Sequence, residues 1–400
     1  MRRILVLSEI YWPEKGGAEL ATHLILNLLK KDYDITVVTG TEQPERLEGL
    51  RYVYSKLLDT PNKIQLWRNI GILRNTNWFI NLVKQADIVY IPRCSYPVIP
   101  LAKKHDKKVI VHLHNYQPIT HCSIVLNGED GFGVLQEFSR SLRFEVLENR
   151  SIRKALLSPL VSPLNRLVRY WNVEADEVIC VSKRQREIIA SAMPELANKL
   201  RVIYNLPLHV PLIEKRPEDP VFIYLGGDSY AKGFHVFLEA SQRLLKRESH
   251  LRFLLAGSFK NKSKLMVEKI SKRFGGAYNV LGRLEHRAIL NLCFVAYALV
   301  FPSICEEPFP YAVLEAMLSR TIPIASKVGG VPEIVQGTYA EKMMFTPGDV
   351  EESVRRIEEV LSLSEESLID IGASLRENIL KKFDVNMIRD QLLNILSESS

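Results

Sequence analysis

Short apolar runs without period-two alternation recur through the first half of the chain, at residues 4–8, 35–39, 88–91, 109–112 and 178–181. A strand covered on one face alternates apolar and polar positions, and a strand covered on both faces does not. These runs therefore predict inner strands of a parallel sheet. Each is followed by a helical pattern or a polar loop, which is the signature of a doubly wound α/β domain. Pro207, Pro211, Pro217 and Pro220 then crowd a charged stretch that suits neither a helix nor an inner strand. Residues 207–220 are accordingly expected to link two domains. The theme restarts at 221–225, 253–256, 280–281, 299–301 and 322–325, predicting a second doubly wound domain. The expected division is 1–206, a linker at 207–220, and 221–380, with a C-terminal helix within 381–400 that can pack back on the first domain.

Length and composition agree with two soluble domains. A chain of 400 residues exceeds one comfortable core at roughly 100–200 residues per domain. Its 46% hydrophobic and 25% charged residues carry no fibrous, disordered or disulfide-scaffold bias. The five cysteines are an odd number, lie far apart and form no C-x-x-C pair, so neither a zinc site nor a disulfide framework is expected. That usage fits a reducing, cytoplasmic setting. The N-terminal apolar run is short and meets Glu9 at once, so it reads as a first strand and not a signal peptide. No apolar run approaches the ~20 residues that span a bilayer. The net charge of +7 is compatible with anionic lipid, nucleic acid or a phosphate-bearing substrate.

One segment departs from the theme. Residues 138–171 carry Arg140, Arg143, Arg150, Arg153, Lys154, Arg166 and Arg169 against only Glu145 and Glu148. Apolar residues between them suit an amphipathic helix broken at Pro159 and Pro163. Two readings stay open: peripheral docking on anionic lipid, or a domain helix with a solvated basic face.

Two segments carry candidate chemistry. In Lys15-Gly16-Gly17-Ala18-Glu19, between the first strand and the first helix, paired glycines let backbone approach a ligand and a helix N-terminus faces it. The pattern is not G-x-G-x-x-G, and a plain tight turn is an equal reading. In Glu306-Glu307-Pro308-Phe309-Pro310-Tyr311, Glu307 follows a strand end, where open α/β sheets bind ligands. A helix is expected to begin about Phe309 or Pro310 and to carry Glu315. Both carboxylates can accept hydrogen bonds from hydroxyls. Asp32-Tyr33-Asp34 spells a D-x-D metal motif but sits away from these loops, and neither H-E-x-x-H nor a P-loop pattern occurs.

The spacing from Glu307 to Glu315, opening on Glu-Pro-Phe and closing on Leu-Glu-Ala-Met, resembles the donor-site block of the family 4 glycosyltransferases. So do residues 322–326 (IPIAS) and 328–335 (VGGVPEIV) that follow it. The glycine loop at 15–19, His114-Asn115-Tyr116, residues 175–182 (ADEVICVS), Asn205 and Lys232-Gly233 match the same family in the same order. The resemblance implies the GT-B fold, two Rossmann-like domains facing across a cleft. It implies transfer of a hexose-type sugar from a nucleotide diphosphate sugar to an acceptor hydroxyl, with retention and without a metal or other cofactor. Lys232, Glu307 and His114 are then the expected catalytic residues, with Lys232 at the diphosphate and His114 at the sugar. Gly16, Gly17, Asn205, Gly226, Gly282, Arg283, Phe309, Pro310, Tyr311 and Glu315 are expected to hold the donor, Glu315 at the ribose and Gly282 with Arg283 near the base. The acceptor, a sugar or a lipid-linked group, is not legible, and no nucleic-acid partner is expected.

Two positions depart from the family pattern. Gly227 stands where the family usually has an arginine, and Pro310 where it commonly has glycine. The first removes a phosphate contact and the second a backbone N–H. A nucleotide-sugar epimerase or hydrolase, and a non-catalytic binding protein, remain alternatives at this level; a dehydrogenase lacks its glycine fingerprint.

Overall fold

The computed structural model describes residues 1–14, 16–129, 131–153, 155, 164–212, 215 and 220–398. Lys15, Lys154, Pro159, Pro163 and Pro217 lie outside the described residues. Two parallel sheets form. The first contains β1 (Arg2–Ser8), β2 (Tyr33–Thr39), β3 (Arg51–Tyr54), β4 (Ile88–Ile91), β5 (Lys108–Leu113), β6 (Glu177–Cys180) and β7 (Leu200–Val202), in the order β3-β2-β1-β4-β5-β6-β7. The second contains β8 (Val221–Tyr224), β9 (Arg252–Ala256), β10 (Tyr278–Gly282), β11 (Ala298–Phe301) and β12 (Ile322–Ala325), in the order β10-β9-β8-β11-β12.

The unalternating runs are strands covered on both faces: β4, β5 and β11 inside their sheets, and β12 at the edge of the second, are buried at every position. Ile4 in β1 stands opposite Ile35 and Ile88, so apolar side chains stack across the middle of the first sheet. Absent from the expected strands are β3 and β7, the two edges of that sheet. In β3 no position is buried, and β7 is three residues with only Leu200 buried. An edge strand left uncovered needs no continuous apolar run, so hydrophobic pattern does not mark these two, whereas β12, an edge strand buried throughout, has such a run.

Contacts divide the chain into two units: Met1–Ile124, Asp130–Leu206 and Asp384–Ser400 form the first, and Val125–Glu129 with Pro207–Phe383 the second. Two differences from the expected domains follow. The segment Val125–Glu129 belongs to the second unit, where Leu126 bridges Cys305 in antiparallel fashion and Asn127 N–H donates to Ile304 O at 2.9 Å. Residues 207–212 group with the second unit and do not stand apart as a linker. Lys215, buried, fastens the same stretch through bonds to Ala296 O at 2.6 Å and Thr321 Oγ1 at 2.8 Å. The helix Val385–Ser397 belongs to the first unit, where Arg389 donates to both oxygens of Asp32, at 2.8 and 2.7 Å. Asp32 of the D-x-D motif is thereby committed to an ion pair within the fold. Among the described residues no helix is long and apolar enough to cross a membrane.

Candidate active site

In an open α/β sheet a crevice opens at the strand C-termini where the winding reverses, because the loops on either side turn apart. In the second sheet that point lies between β8 and β11. Lys232 follows β8 and Glu307 follows β11, and they meet there: Lys232 Nζ donates to Glu307 Oε1 at 2.5 Å. The same oxygen accepts from Ser303 Oγ–H at 3.0 Å and Cys305 S–H at 3.2 Å. Burial alone would push the Glu307 carboxyl up, but the Lys232 ammonium and these hydrogen bonds outweigh it and hold it below the usual range. The Cys305 thiol is driven far the other way by burial and by Glu307, so it stays protonated. The Lys232 side chain is 40% exposed while that of Glu307 is 10% exposed, so the ammonium is the member of the pair open to an anionic ligand.

The loop carrying Glu307 is clamped from below. Gly330 N–H donates to Glu307 O at 2.8 Å, and Gly329 has φ +49. A Cβ at Gly329 would overlap Glu307 O, so only glycine allows this approach. Glu306, buried, accepts from Gly329 N–H at 2.8 Å through one oxygen and from Asn127 Nδ2 at 3.0 Å through the other. Glu306 N–H donates to Val125 O at 2.8 Å. Asn127 thus holds the loop from a segment far upstream in sequence.

The helix that follows runs Tyr311–Leu318, one or two residues later than expected, because Pro310 serves as its N-cap. Glu315 is buried on it, and His286 Nε2 lies 2.8 Å from Glu315 Oε1. The bond to Glu315 raises the His286 pKa above 6.5; burial works against it and the carboxylate charge adds to it. Phe309 turns its ring into the unit, edge-on to Phe383 at 5.3 Å, so any donor contact there falls to backbone. Tyr311 is also buried. Gly282 ends β10 with its carbonyl accepting from Gly257 N–H at 2.8 Å, and Arg283 beside it is exposed.

Gly227 is the departure the backbone explains. It has φ +60, and a Cβ there would lie 2.3 Å from Ser258 O. The loops after β8 and β9 pack so closely that no side chain fits, arginine least of all. Gly226 is similarly hemmed in, by the Tyr224 hydroxyl.

The remaining expected residues lie in the first unit, whose sheet reverses between β1 and β4. A cluster missed by sequence reading occupies that point. Arg93, just after β4, donates to Glu9 Oε1 at 2.9 Å and pairs with Glu19, and both carboxylates are buried. Glu19 also accepts from Gly16 N–H at 2.9 Å, so that N–H serves the cap of helix Gly17–Leu29 and is not available to a phosphate. His114 follows β5 and stacks on His112 at 4.5 Å; burial and then Arg93 bring its pKa down to about 3. It is therefore a neutral imidazole, and its buried Nε2 has no hydrogen-bond partner among the described residues. Asn205 is buried with its Oδ1 in the same condition.

Comparison with known proteins bears on both units. Residues 15–206 match the family model described as Glycosyltransferase Family 4, and residues 211–377 the one described as Glycosyl transferases group 1. The sulfoquinovosyl transferase of Arabidopsis thaliana is 24% identical over 309 residues, 72% of this chain and 58% of its own length. The chain thus spans little more than half of that relative. One component of the Arabidopsis phosphatidylinositol N-acetylglucosaminyltransferase is 20% identical over 90% of this chain and 74% of its own length. Among solved structures, the Anabaena protein HepE in complex with UDP and glucose superposes with a TM-score of 0.69 at 19% identity, covering 100% of both chains. A sucrose-phosphate synthase from Thermosynechococcus elongatus superposes with a TM-score of 0.75 at 15% identity, covering 99% of this chain and 98% of its own.

Proposed function

Since the chain belongs to the family 4 glycosyltransferases and is an enzyme of that class with the GT-B fold, we propose that it moves a hexose-type sugar from a nucleotide diphosphate sugar to an acceptor hydroxyl, with retention and without a metal. The observation that carries this reading is the Lys232–Glu307 pair at the reversal point of the second sheet. As the glycosidic bond breaks, the diphosphate gains negative charge, and a fixed ammonium where that charge appears stabilises the transition state more than the ground state. Lys232 is that cation; with Gly227 in the arginine position, it carries more of the task alone. Glu307 orients the ammonium and offers a carboxylate to sugar hydroxyls, while Glu315 accepts from the ribose. His114, held neutral, contributes hydrogen bonding and not acid catalysis.

UDP and glucose bound to HepE make uridine diphosphate sugars the first donors to try. The lipid-directed relative points to lipid-linked acceptors. The test is thermal stabilisation by a panel of uridine, guanosine and adenosine diphosphate sugars. A ligand at ~100 times its dissociation constant adds about 2.7 kcal/mol. One base class should stabilise, and transfer in the presence of EDTA should give a product of unchanged anomeric configuration. Inversion, or activity lost to EDTA and restored by a divalent cation, would overturn the corresponding part of the reading.

A further inference from the structure

The helix Val134–Leu147 exposes an apolar stripe while burying polar residues on its other side. Its inward side carries Glu137, Arg140 and Ser141, which are 6%, 4% and 2% exposed. These polar groups are provided for: Glu137 accepts from His121 N–H at 2.6 Å, and Arg140 donates to Gly131 O at 3.1 Å and lies over the Phe132 ring at 4.9 Å. The outward side carries Leu135, Phe138, Leu142 and Val146, which are 81%, 40%, 38% and 40% exposed. Their spacing of three, four and four places them in one stripe along the helix. Scattered exposed apolar residues need no explanation, but a continuous stripe opposite a buried ion pair marks a surface meant to be covered.

The chain around this helix repeats the combination. Ile152, Leu167 and Tyr170 are 73%, 46% and 58% exposed. Exposed Arg143, Arg150, Arg153 and Arg166 stand among these apolar residues. Arg140 turns inward, and Arg169 donates to Ala192 O at 2.6 Å.

We propose that this helix docks the protein on the surface of an anionic bilayer, with the Leu135–Phe138–Leu142–Val146 stripe in the acyl boundary and the arginines among the headgroups. Charge chooses the occupant. A second copy of the chain would bring the same arginines against themselves, whereas anionic lipid supplies an apolar layer edged with negative charge. The docking is independent of which sugar is transferred.

Flotation of the full chain with phosphatidylcholine vesicles, with and without phosphatidylglycerol, tests it. The wild type should float with the anionic vesicles only and be released by high salt, because screening weakens the cationic contribution. Phe138→Glu with Leu142→Glu should lower partitioning by at least ~10-fold. Arg143→Glu with Arg166→Glu should lower it by roughly fivefold or more per residue. All four positions are exposed, so melting should be unchanged; if the glutamate pair melts early, Phe138→Ser with Leu142→Ser takes its place. Three results would each overturn the proposal. They are a wild type that floats with neither vesicle at low salt, an apolar variant that binds as the wild type does, and a wild-type dimer that the apolar variant splits without any vesicle binding.

Discussion

The roles proposed for Lys232 and Glu315 differ, and kinetics can tell them apart. A ribose contact is equal in ground and transition states, so Glu315→Ala should chiefly raise the donor KM. A contact to the diphosphate strengthens as charge develops, so Lys232→Ala should lower kcat, by ~10²–10³-fold if it acts like a single oxyanion donor. Wild-type kcat in Lys232→Ala together with a kcat loss in Glu315→Ala would reverse the assignment. The partner of Glu315 makes a pH prediction. The folded pKa of His286 is raised above 6.5 by its bond to Glu315, so the pair's stabilisation is fully present below 6.5 and fades as pH rises through the folded value. His286→Gln should therefore depress the melting temperature more below pH 6.5 than in alkaline buffer; an equal depression at both would show that the bond does not depend on the proton. Asn127 gives a third test, because, although itself exposed, it donates at 3.0 Å to the buried Glu306. Asn127→Asp would set a second carboxylate beside Glu306, and their repulsion favours a shared proton. Activity in that variant should acquire a limb that falls as pH rises and the shared proton leaves. Asn127→Ala, which only loses a bond, should show no such limb.

At the scale of elements, close packing between loops explains a residue that sequence comparison marks as a loss. Gly227 replaces the family arginine because the loop after β8 rests on Ser258, with Gly227 N–H donating to Ala256 O at 3.2 Å and Asp228 N–H to Ser258 O at 3.0 Å. Restoring the residue should harm the protein. Gly227→Arg combines a left-handed φ, costing about 1–2 kcal/mol, with a backbone clash, so its melting temperature should fall and its donor affinity should not improve. A stable variant with tighter donor binding would mean that the loop rearranges easily. The same scale explains what was legible from sequence. Strands covered on both faces announce themselves because burial leaves only apolar residues, the edge strand β12 included, while β3 and β7 are largely uncovered and carry no such constraint. Glu307 and Lys232 were legible as a motif, through family resemblance and a strand-end position. Their support was not. Asn127 and Glu306 are 179 positions apart, and Glu9 and Arg93 are 84 apart. Such pairs exist only once strand order is known, and no local pattern of residue types encodes it.

For the whole molecule, the connectivity of the two units decides which parts can fail separately. The chain leaves the second unit at Phe383, whose ring packs on Phe309, and one residue later Asp384 caps a helix of the first unit by accepting from Asn386 and Met387 N–H at 3.0 and 2.9 Å. That helix buries Ile388, Leu392, Ile395 and Leu396, and its C-terminal end takes the buried Lys108 ammonium through Glu398 O at 2.6 Å and the Arg2 guanidinium through Leu396 O at 3.0 Å. Cations at a helix C-terminus complement its dipole, so the fit is electrostatic as well as apolar. Removing residues from Asp384 onward would uncover that apolar face, at ~1.5–3 kcal/mol for each large side chain, and leave Lys108 without these acceptors. The first unit should then melt at least ~10 °C lower, since a domain of this size loses about 2–4 °C per kcal/mol. The composition supplies the readout: all four tryptophans, Trp12, Trp67, Trp78 and Trp171, lie in the first unit, so tryptophan fluorescence follows that unit alone. On the proposed function, nucleotide binding follows the second, which contains Lys232, Glu307 and Glu315. The truncated chain should show an early fluorescence transition while still binding, below that transition, the nucleotide chosen by the donor panel. An unchanged fluorescence midpoint would show that the C-terminal helix adds nothing to the first unit's stability, and the ion pair of Arg389 with Asp32 would then be surface decoration.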